Sequence, residues 1–190
     1  MHADAFEWLN ISAEQAARRL LGCELVRTID GQEIRVRIVE TEAYDQEDEA
    51  SHAFRGRTAR NDVMFRRAGH LYVYFTYGMH YCCNVVCGAE GYGSGALIRA
   101  VEPLCGFDYL ELNRGVSGVN VTNGPAKLTQ ALSVDMTLNG HDLATPPLQL
   151  IEQPALADSM VVAAPRIGIS KAADALRRFY IADSTYVSRK

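Results

Sequence analysis

The stretch that decides the fold is IRVRIVETEAY, at residues 34–44. Aliphatic side chains alternate with arginines in its first half. This predicts a strand with one buried face, because successive side chains of a strand point to opposite faces. If the alternation continues, Glu40, Glu42 and Tyr44 lie on the same core-directed face as the aliphatic residues. A carboxylate there is costly unless it is paired or hydrogen-bonded. The alternative is a strand that ends at Val39 and leaves both glutamates in solvent.

The residues before this stretch predict a helix followed by a hairpin. Ser12-Ala13-Glu14-Gln15 has the form of a capping box, and Gly22 is well placed to stop the helix that it starts. Asp30-Gly31 then predicts a tight turn between a strand over Cys23–Ile29 and the strand that begins at Gln32.

The rest of the chain predicts more strands than helices. Strands dominate its middle and are joined by short turns, which favours one α+β domain over residues 1–190, built on a curved, mostly antiparallel, barrel-like sheet flanked by helices. The elements expected are strands over 71–77, 81–87 and 96–102, the last ended by Pro103, a glycine-rich loop over 88–95, a helix opened by Gly124-Pro125, and a last helix near 172–178.

Composition bounds the class of protein. No apolar run is long enough to span a bilayer, and the first residues lack the basic start and apolar stretch of a secretory signal. We therefore expect no membrane partner and a cytoplasmic or nucleoid location in a prokaryote, or a nuclear one in a eukaryote. The five cysteines are odd in number and partly crowded together, which favours free thiols packed in the core over a disulfide framework or a zinc site.

Charge is distributed unevenly along the chain. The net charge of −4 argues against a protein that coats nucleic acid nonspecifically. However, an acidic loop over 45–49 is followed by a basic stretch over 52–67. That stretch is either a solvated face or a directed contact with phosphates, and taken alone it favours the solvated face.

Two polar residues interrupt strands that are otherwise apolar. Asn84 lies within residues 81–87 and Arg99 within residues 96–101. A buried arginine needs a carboxylate partner and a buried asparagine needs its amide satisfied, which either structural contacts or a site could provide. Together with the glutamates of 34–44, these groups suggest one convergent site. The tyrosines of 72–77 could pack the sheet or form the flat wall of a pocket for a planar base.

At these residues the sequence resembles the alkyladenine (3-methyladenine) DNA glycosylase family, from about Ala16 to about Ser188. The blocks that carry the resemblance occur in the same order: RIVETEAY at 37–44, His52, MF at 64–65, LYVY at 71–74, YGM at 77–79, Asn84, LIRAVEP at 97–103, NGPAKL at 123–128 and RIGI at 166–169. The resemblance implies a monomeric enzyme without a cofactor that acts on double-stranded DNA containing damaged purines. It would flip alkylated or deaminated purines out of the duplex and hydrolyse their N-glycosidic bonds, leaving abasic sites.

The resemblance also implies which residues carry the chemistry. Glu42 would deprotonate and aim the attacking water, and Arg99 would help to hold that water or the carboxylate. Tyr44, His52 and Tyr74 would line the pocket and sandwich the extruded base.

Four further residues would govern selectivity and the contact with DNA. Asn84 would crowd the 2-amino group of a normal guanine and so reject it. Tyr77 would be the wedge that fills the gap left by the flipped base, with Met64 supporting it from the other side. Lys127, at the start of its helix, would meet a phosphate.

Two other functions fit parts of the sequence. A metal-dependent hydrolase could use Asp45, Asp48, Glu49 and His52 as ligands. A non-catalytic nucleic-acid-binding module could stack bases on the tyrosines and hold phosphates with the arginines, but it leaves a buried pair of Glu42 and Arg99 without a purpose. Because no lysine lies beside the predicted site, we expect no Schiff-base lyase step.

Overall fold

The computed structural model describes residues 5–76 and 78–189. Within them it contains three α-helices: α1 (Ala13–Arg19), α2 (Phe107–Arg114) and α3 (Pro125–Ala131). The eight strands are β1 (Glu24–Ile29), β2 (Gln32–Asp45), β3 (Leu71–Thr76), β4 (His80–Val86), β5 (Ser94–Cys105), β6 (Leu148–Ile151), β7 (Val161–Ala164) and β8 (Arg178–Ile181).

All eight strands belong to one curved antiparallel sheet. Its order is β3-β4-β5-β2-β1-β6, and β8 pairs with both β2 and β7. Helix α1 packs on β2 and β5, and α3 packs on β4 and α2. The α+β class and the curled, barrel-like sheet predicted from the sequence are confirmed. No helix in the described part of the chain is long and apolar enough to cross a membrane.

The local signals before the long strand are also confirmed. The Ser12 hydroxyl accepts a hydrogen bond from the Gln15 N–H, and the Gln15 side chain accepts one from the Ser12 N–H, which completes the capping box of α1. In the hairpin turn, Asp30 and Gly31 have φ values of 49° and 78°. Two successive positive φ angles are those of a type I′ turn, whose twist matches the flanking strands.

A β-bulge at Val39 interrupts the regular alternation of β2. Ile38 pairs with Val101 and Glu40 pairs with Ala100, so Val39 has no partner of its own on β5. One extra residue on a strand shifts all later side chains to the other face. The bulge therefore divides β2 into two segments. Even-numbered side chains face the main core before it, and odd-numbered side chains face the main core after it.

This bulge corrects one prediction and explains the position of the glutamates. The core-facing residues of the first segment end at Ile38, whereas those of the second include Thr41, whose hydroxyl donates to a backbone carbonyl of α1, and Ala43. The prediction that the alternation continues past Ile38 is therefore wrong. Glu40 and Glu42 are fully buried, but they lie on the face of the sheet opposite the main core.

Strand β5 is longer than predicted at both ends. It starts at Ser94, within the predicted glycine-rich loop, and it continues through Pro103 to Cys105. Val36 pairs with Pro103 and Arg35 with Cys105, so a further register shift lies beside the proline, where Leu104 has no partner on β2. A bulge is one of the few places where a sheet accepts a residue without a backbone N–H, and this explains why Pro103 does not end the strand.

The predicted last helix near 172–178 is wrong. Residues 171–175 form bends and turns, residues 176–177 have no regular structure, and Arg178 begins β8. Strand β8 lies between β2 and β7 and pairs with both. Alanine and leucine favour a helix in isolation, but pairing on both sides of a strand overrides that weak preference.

Apolar residues form a main core and a smaller cluster. The main core fills the space between the helices and one face of the sheet. It contains Cys23, Cys83 and Cys87, which are free buried thiols, as predicted for cysteines that act as small core residues. The smaller cluster packs against the other face and consists of Ala53, Val63, Met64, Phe65, Tyr72 and Val86.

Candidate active site

The candidate site lies on the face of the sheet opposite the main core, and strand register builds it. Tyr72 on β3 pairs with Asn84 on β4, Asn84 pairs with Leu97 on β5, and Leu97 pairs with Glu42 on β2. Cross-strand partners project from the same face, so these four side chains form one row across four strands. We call it the site row. The residues two positions along from it, on the same face, are Tyr44, Tyr74, Cys82 and Arg99.

The site row forms the floor of an open pocket of about 360 Å³, a volume usual for small-ligand sites. Ile167, Gly168 and Ile169, from the loop before β8, also line this pocket. Of the residues predicted to form the site, seven line this pocket: Glu42, Tyr44, His52, Met64, Tyr74, Asn84 and Arg99.

Glu42 is fully buried, and each of its oxygens is engaged. Oε1 accepts the Ile167 backbone N–H at 2.8 Å and lies 3.3 Å from Arg99 Nη1. Oε2 accepts the Tyr44 hydroxyl at 2.8 Å. A carboxylate oxygen can accept two hydrogen bonds, so Oε2 keeps one position for a further donor. These contacts offset the cost of burying the carboxylate and fix its orientation in the pocket.

Arg99 lies between two buried carboxylates and is only 7% exposed. Its Nη1 faces Glu42, and its Nε lies 3.3 Å from Glu40 Oε1. Glu40 is held in turn by Arg178 Nη1 at 2.9 Å, by the Ser188 hydroxyl at 3.0 Å and by the Ser188 N–H at 2.7 Å. The prediction that a buried Arg99 needs a carboxylate partner is confirmed, and it has two.

An aromatic group forms the side of the pocket nearest β3. The rings of Tyr72 and Tyr74 are stacked, with centroids 5.6 Å apart. The His52 ring meets the Tyr74 ring edge-on at 4.6 Å, and His52 Nδ1 is 3.0 Å from the Tyr72 hydroxyl. Partial burial and the charge of Arg60 lower the pKa of His52, and burial raises the pKa of Tyr72 to about 12. Both side chains are therefore uncharged at neutral pH.

Tyr44 is held between the Glu42 carboxylate and a buried ion pair. The Arg166 guanidinium lies over the Tyr44 ring, 4.6 Å from its centroid, and donates to the Ala43 carbonyl at 2.9 Å and to both oxygens of Asp48. Burial and the charge of Glu42 raise the pKa of Tyr44, so its hydroxyl remains a donor. Burial would raise the pKa of Asp48, but hydrogen bonds from Arg166 lower it below its ordinary value.

The acidic loop is divided between two exposed carboxylates, Glu47 and Glu49, and two that fold onto arginines. Asp45 and Asp48 are buried, and Arg177 Nη1 lies 3.2 Å from one and 3.3 Å from the other. His52, the fourth ligand of the metal-dependent alternative, contacts tyrosines. Among the described residues, no three His, Cys, Asp or Glu side chains are grouped so that they could hold a metal ion.

The remaining predicted residues differ in their relation to the pocket. Asn84 is buried and its amide donates to the Tyr72 carbonyl at 3.3 Å, as expected for a satisfied buried asparagine. Met64 is buried in the smaller cluster and reaches the pocket. Lys127 does not line it, and its Nζ donates to Asn123 Oδ1 at 2.7 Å. Tyr77 lies outside the residues that the structure describes.

Several pocket residues were not predicted as part of the site. Tyr72, Cys82 and Leu97 could have been found, because each lies two positions from a predicted site residue on the same strand. Ile167 comes from a loop whose position no local pattern indicates. The same is true of the ion pair between Arg166 and Asp48, which supports Tyr44 without lining the pocket.

Comparison with known proteins gives concordant matches over almost the whole chain. The family model described as methylpurine-DNA glycosylase matches residues 7–185. A protein from Carboxydothermus hydrogenoformans is 50% identical over 176 residues, covering 92% of either chain. One from Methanoculleus marisnigri is 48% identical over 180 residues, again 92% of each chain, and one from Nitrosospira multiformis is 46% identical over 180 residues, 94% of this chain and 90% of its own. All three carry the name "Putative 3-methyladenine DNA glycosylase".

Proposed function

This chain belongs to the methylpurine-DNA glycosylase family, and on that premise we propose that it excises alkylated and deaminated purines from duplex DNA by hydrolysing the N-glycosidic bond. The observation that carries the proposal is the fully buried Glu42 at the floor of an aromatic pocket. Tyr44, Ile167 and Arg99 hold its carboxylate, and Oε2 keeps one acceptor position for a water.

The chemistry follows from that position. A water hydrogen-bonded to Glu42 Oε2 attacks C1′ of the flipped nucleotide while its proton passes to the carboxylate. The C1′–N bond breaks and its electron pair goes to the leaving purine. A purine alkylated at a ring nitrogen is cationic, so this electron pair neutralises it and no general acid is required. The products are the free base and an abasic site.

The pocket suits a cationic, planar base. A base must leave the helical stack before its glycosidic bond can be attacked, at a cost of a few kcal/mol. Tyr44 and Tyr74 offer ring faces for stacking, and their raised pKa values keep them neutral. The lowered pKa of His52 means that the rim adds no positive charge to repel a cationic purine at neutral pH.

Selectivity and DNA contact are assigned to residues around this centre. Asn84, next to Leu97 in the site row, would meet the 2-amino group of guanine and exclude the undamaged base. We assign the wedge to Tyr77, its support to Met64 and a phosphate contact to Lys127. No lysine of residues 5–76 and 78–189 lines the pocket, so we expect a monofunctional enzyme that hydrolyses the bond without a lyase step.

Glu42→Gln tests the function directly. A panel of duplexes, each carrying one damaged purine, is incubated with the native protein and the variant, and alkali-labile abasic sites are scored. We expect the native protein to cut at alkylated purines in the presence of EDTA. We expect the variant to lose at least about 10³-fold in single-turnover rate while still binding the same duplexes, because an amide cannot take a proton from water.

The matched control is Glu102→Gln. Glu102 on β5 pairs with Arg37 on β2, and its Oε2 is 3.4 Å from Arg37 Nε. Its side chain is 35% exposed and lies outside the pocket. It should be as active as the native protein. Full activity of Glu42→Gln would exclude the mechanism. Lesion binding by the native protein without any abasic sites would instead support a non-catalytic binding module.

A further inference from the structure

A second buried carboxylate, Glu40, lies beside the site and has no part in the chemistry above. It is two residues before Glu42, after the bulge, and is likewise 0% exposed. Its oxygens accept hydrogen bonds from Arg178 and from the N–H and hydroxyl of Ser188. A fully buried carboxylate is costly, so its position beside the reactive one calls for a function as well as for partners.

Arg99 connects the two carboxylates. A guanidinium normally binds one carboxylate through two parallel hydrogen bonds. Here Nη1 faces Glu42 and Nε faces Glu40, each at 3.3 Å, and Nε is buried without a hydrogen bond to any described residue. Arg99 therefore makes one contact with Glu40 and one with Glu42, and it forms a two-bonded pair with neither.

We propose that Glu40 is a positioning residue that holds one side of Arg99 and thereby leaves Glu42 free and basic enough to accept the proton of the attacking water. The proposal rests on the excision reaction proposed above. If Arg99 instead formed a two-bonded pair with Glu42, it would occupy the acceptor position on Oε2 that the water needs. It would also stabilise the carboxylate against protonation.

The neighbouring charged groups do not replace Glu40 in this contact. Arg178 is held by the carbonyls of Pro165 and Arg189 as well as by Glu40. The titratable and charged groups facing the two carboxylates are Tyr44 on β2, Cys82 on β4, Arg99 on β5, Arg166 on the loop before β8, and Arg178 and Tyr180 on β8. Only Glu40 and Glu42 are anions within 4.0 Å of Arg99 among the described residues.

The test is the pH dependence of excision by Glu40→Gln, measured under single turnover on the best-cleaved duplex of the panel. Glutamine keeps the shape of the side chain and removes its charge. We expect the acidic limb of the rate profile to move to lower pH by about one unit. We also expect the plateau rate to fall several-fold, because Arg99 then pairs with Glu42 alone. A purely structural role would lower the melting temperature or the active fraction and leave the limb in place.

Two further variants keep the proposal testable if Glu40→Gln folds poorly. Ser188→Ala removes one donor from Glu40 Oε1, so Glu40 should attract Arg99 more strongly and the limb should move the other way, to higher pH. Glu102→Gln removes the carboxylate that faces Arg37, a pair on the same two strands but outside the site, and it should keep the native pH profile. A limb that is unmoved in both Glu40→Gln and Ser188→Ala would overturn the proposal. Absence of excision by the native protein, or an active Glu42→Gln, would overturn the proposed function instead.

Discussion

The two carboxylate oxygens of Glu42 have different partners, and these partners fix the orientation of the carboxylate. Oε1 is held by the Ile167 N–H and faces Arg99, whereas the Tyr44 hydroxyl is the only donor to Oε2 among the residues that the structure describes. The sequence predicted that Glu42 and Arg99 would be buried together, because polar residues interrupt apolar strands there. It could not predict Ile167, which is 125 residues away and donates from its backbone, where side-chain identity carries no information.

Tyr44→Phe tests whether the tyrosine hydroxyl orients the reactive carboxylate. A hydrogen bond to a charged group contributes about 1.5–3 kcal/mol, so its loss should slow single-turnover excision by about tenfold or more. Binding of the lesion duplex should change little, because the ring remains. Tyr109→Phe is the matched control, since its hydroxyl lies outside the pocket and is hydrogen-bonded to the exposed Ser133 hydroxyl. A native excision rate in Tyr44→Phe would show that the hydroxyl has no orienting role.

The bulge at Val39 is the feature of secondary structure on which the site depends. Without it, Glu40 and Glu42 would continue the core-facing row of the first segment of β2. No glycine or proline marks the bulge, so the alternation in the sequence predicted the opposite face. The capping box of α1 and the Asp30-Gly31 turn were predicted correctly, because each is specified by adjacent residues. The segment 172–178 was predicted wrongly, because the strand β8 that begins at its end pairs with strands that local sequence does not indicate.

Deletion of Val39 should leave each later side chain on its native face. With the extra residue removed, regular alternation from Ile38 still places Thr41 toward the main core and Glu40 and Glu42 on the opposite face. We therefore expect the deletion variant to fold, with a lower free energy of unfolding because a buried side chain is lost. Val39→Ala keeps the bulge and should lower the free energy of unfolding by about 1–3 kcal/mol. Urea denaturation followed by circular dichroism measures both, and a deletion variant that cannot fold would contradict this account of the bulge.

At the scale of the whole molecule, acids neutralise part of the positive charge of the basic stretch over 52–67. The net charge is −4. Within the basic stretch, Arg57 and Arg66 both pair with Asp62, and Arg67 pairs with Asp142. The basic stretch identified in the sequence is thus partly neutralised by acids that only the fold brings close. Affinity should depend more on the pocket than on phosphate contacts.

The salt dependence of DNA binding measures how much of the affinity comes from phosphate contacts. For Glu42→Gln on a lesion duplex, the slope of log K against log salt should be about −2 to −4, corresponding to about two to four phosphates. Fluorescence anisotropy between about 50 and 200 mM NaCl is suitable. Adding Asp62→Asn frees two arginines and should steepen the slope by about one to two. A slope of about −6 or steeper before that change would contradict the expectation.

The site row also has a kinetic consequence for a chain that is only partly folded. Its members come from four strands, and the groups that complete the centre, Ile167 and Arg178, lie more than 120 residues beyond the glutamates that they hold. Such distant contacts form late, since closing long loops is slow. Until they form, Glu42 is an ordinary hydrated side chain without the partners that fix its orientation. If Glu42 acts as proposed, a misfolded or truncated copy would be inactive on lesions and would create no abasic sites in sound DNA.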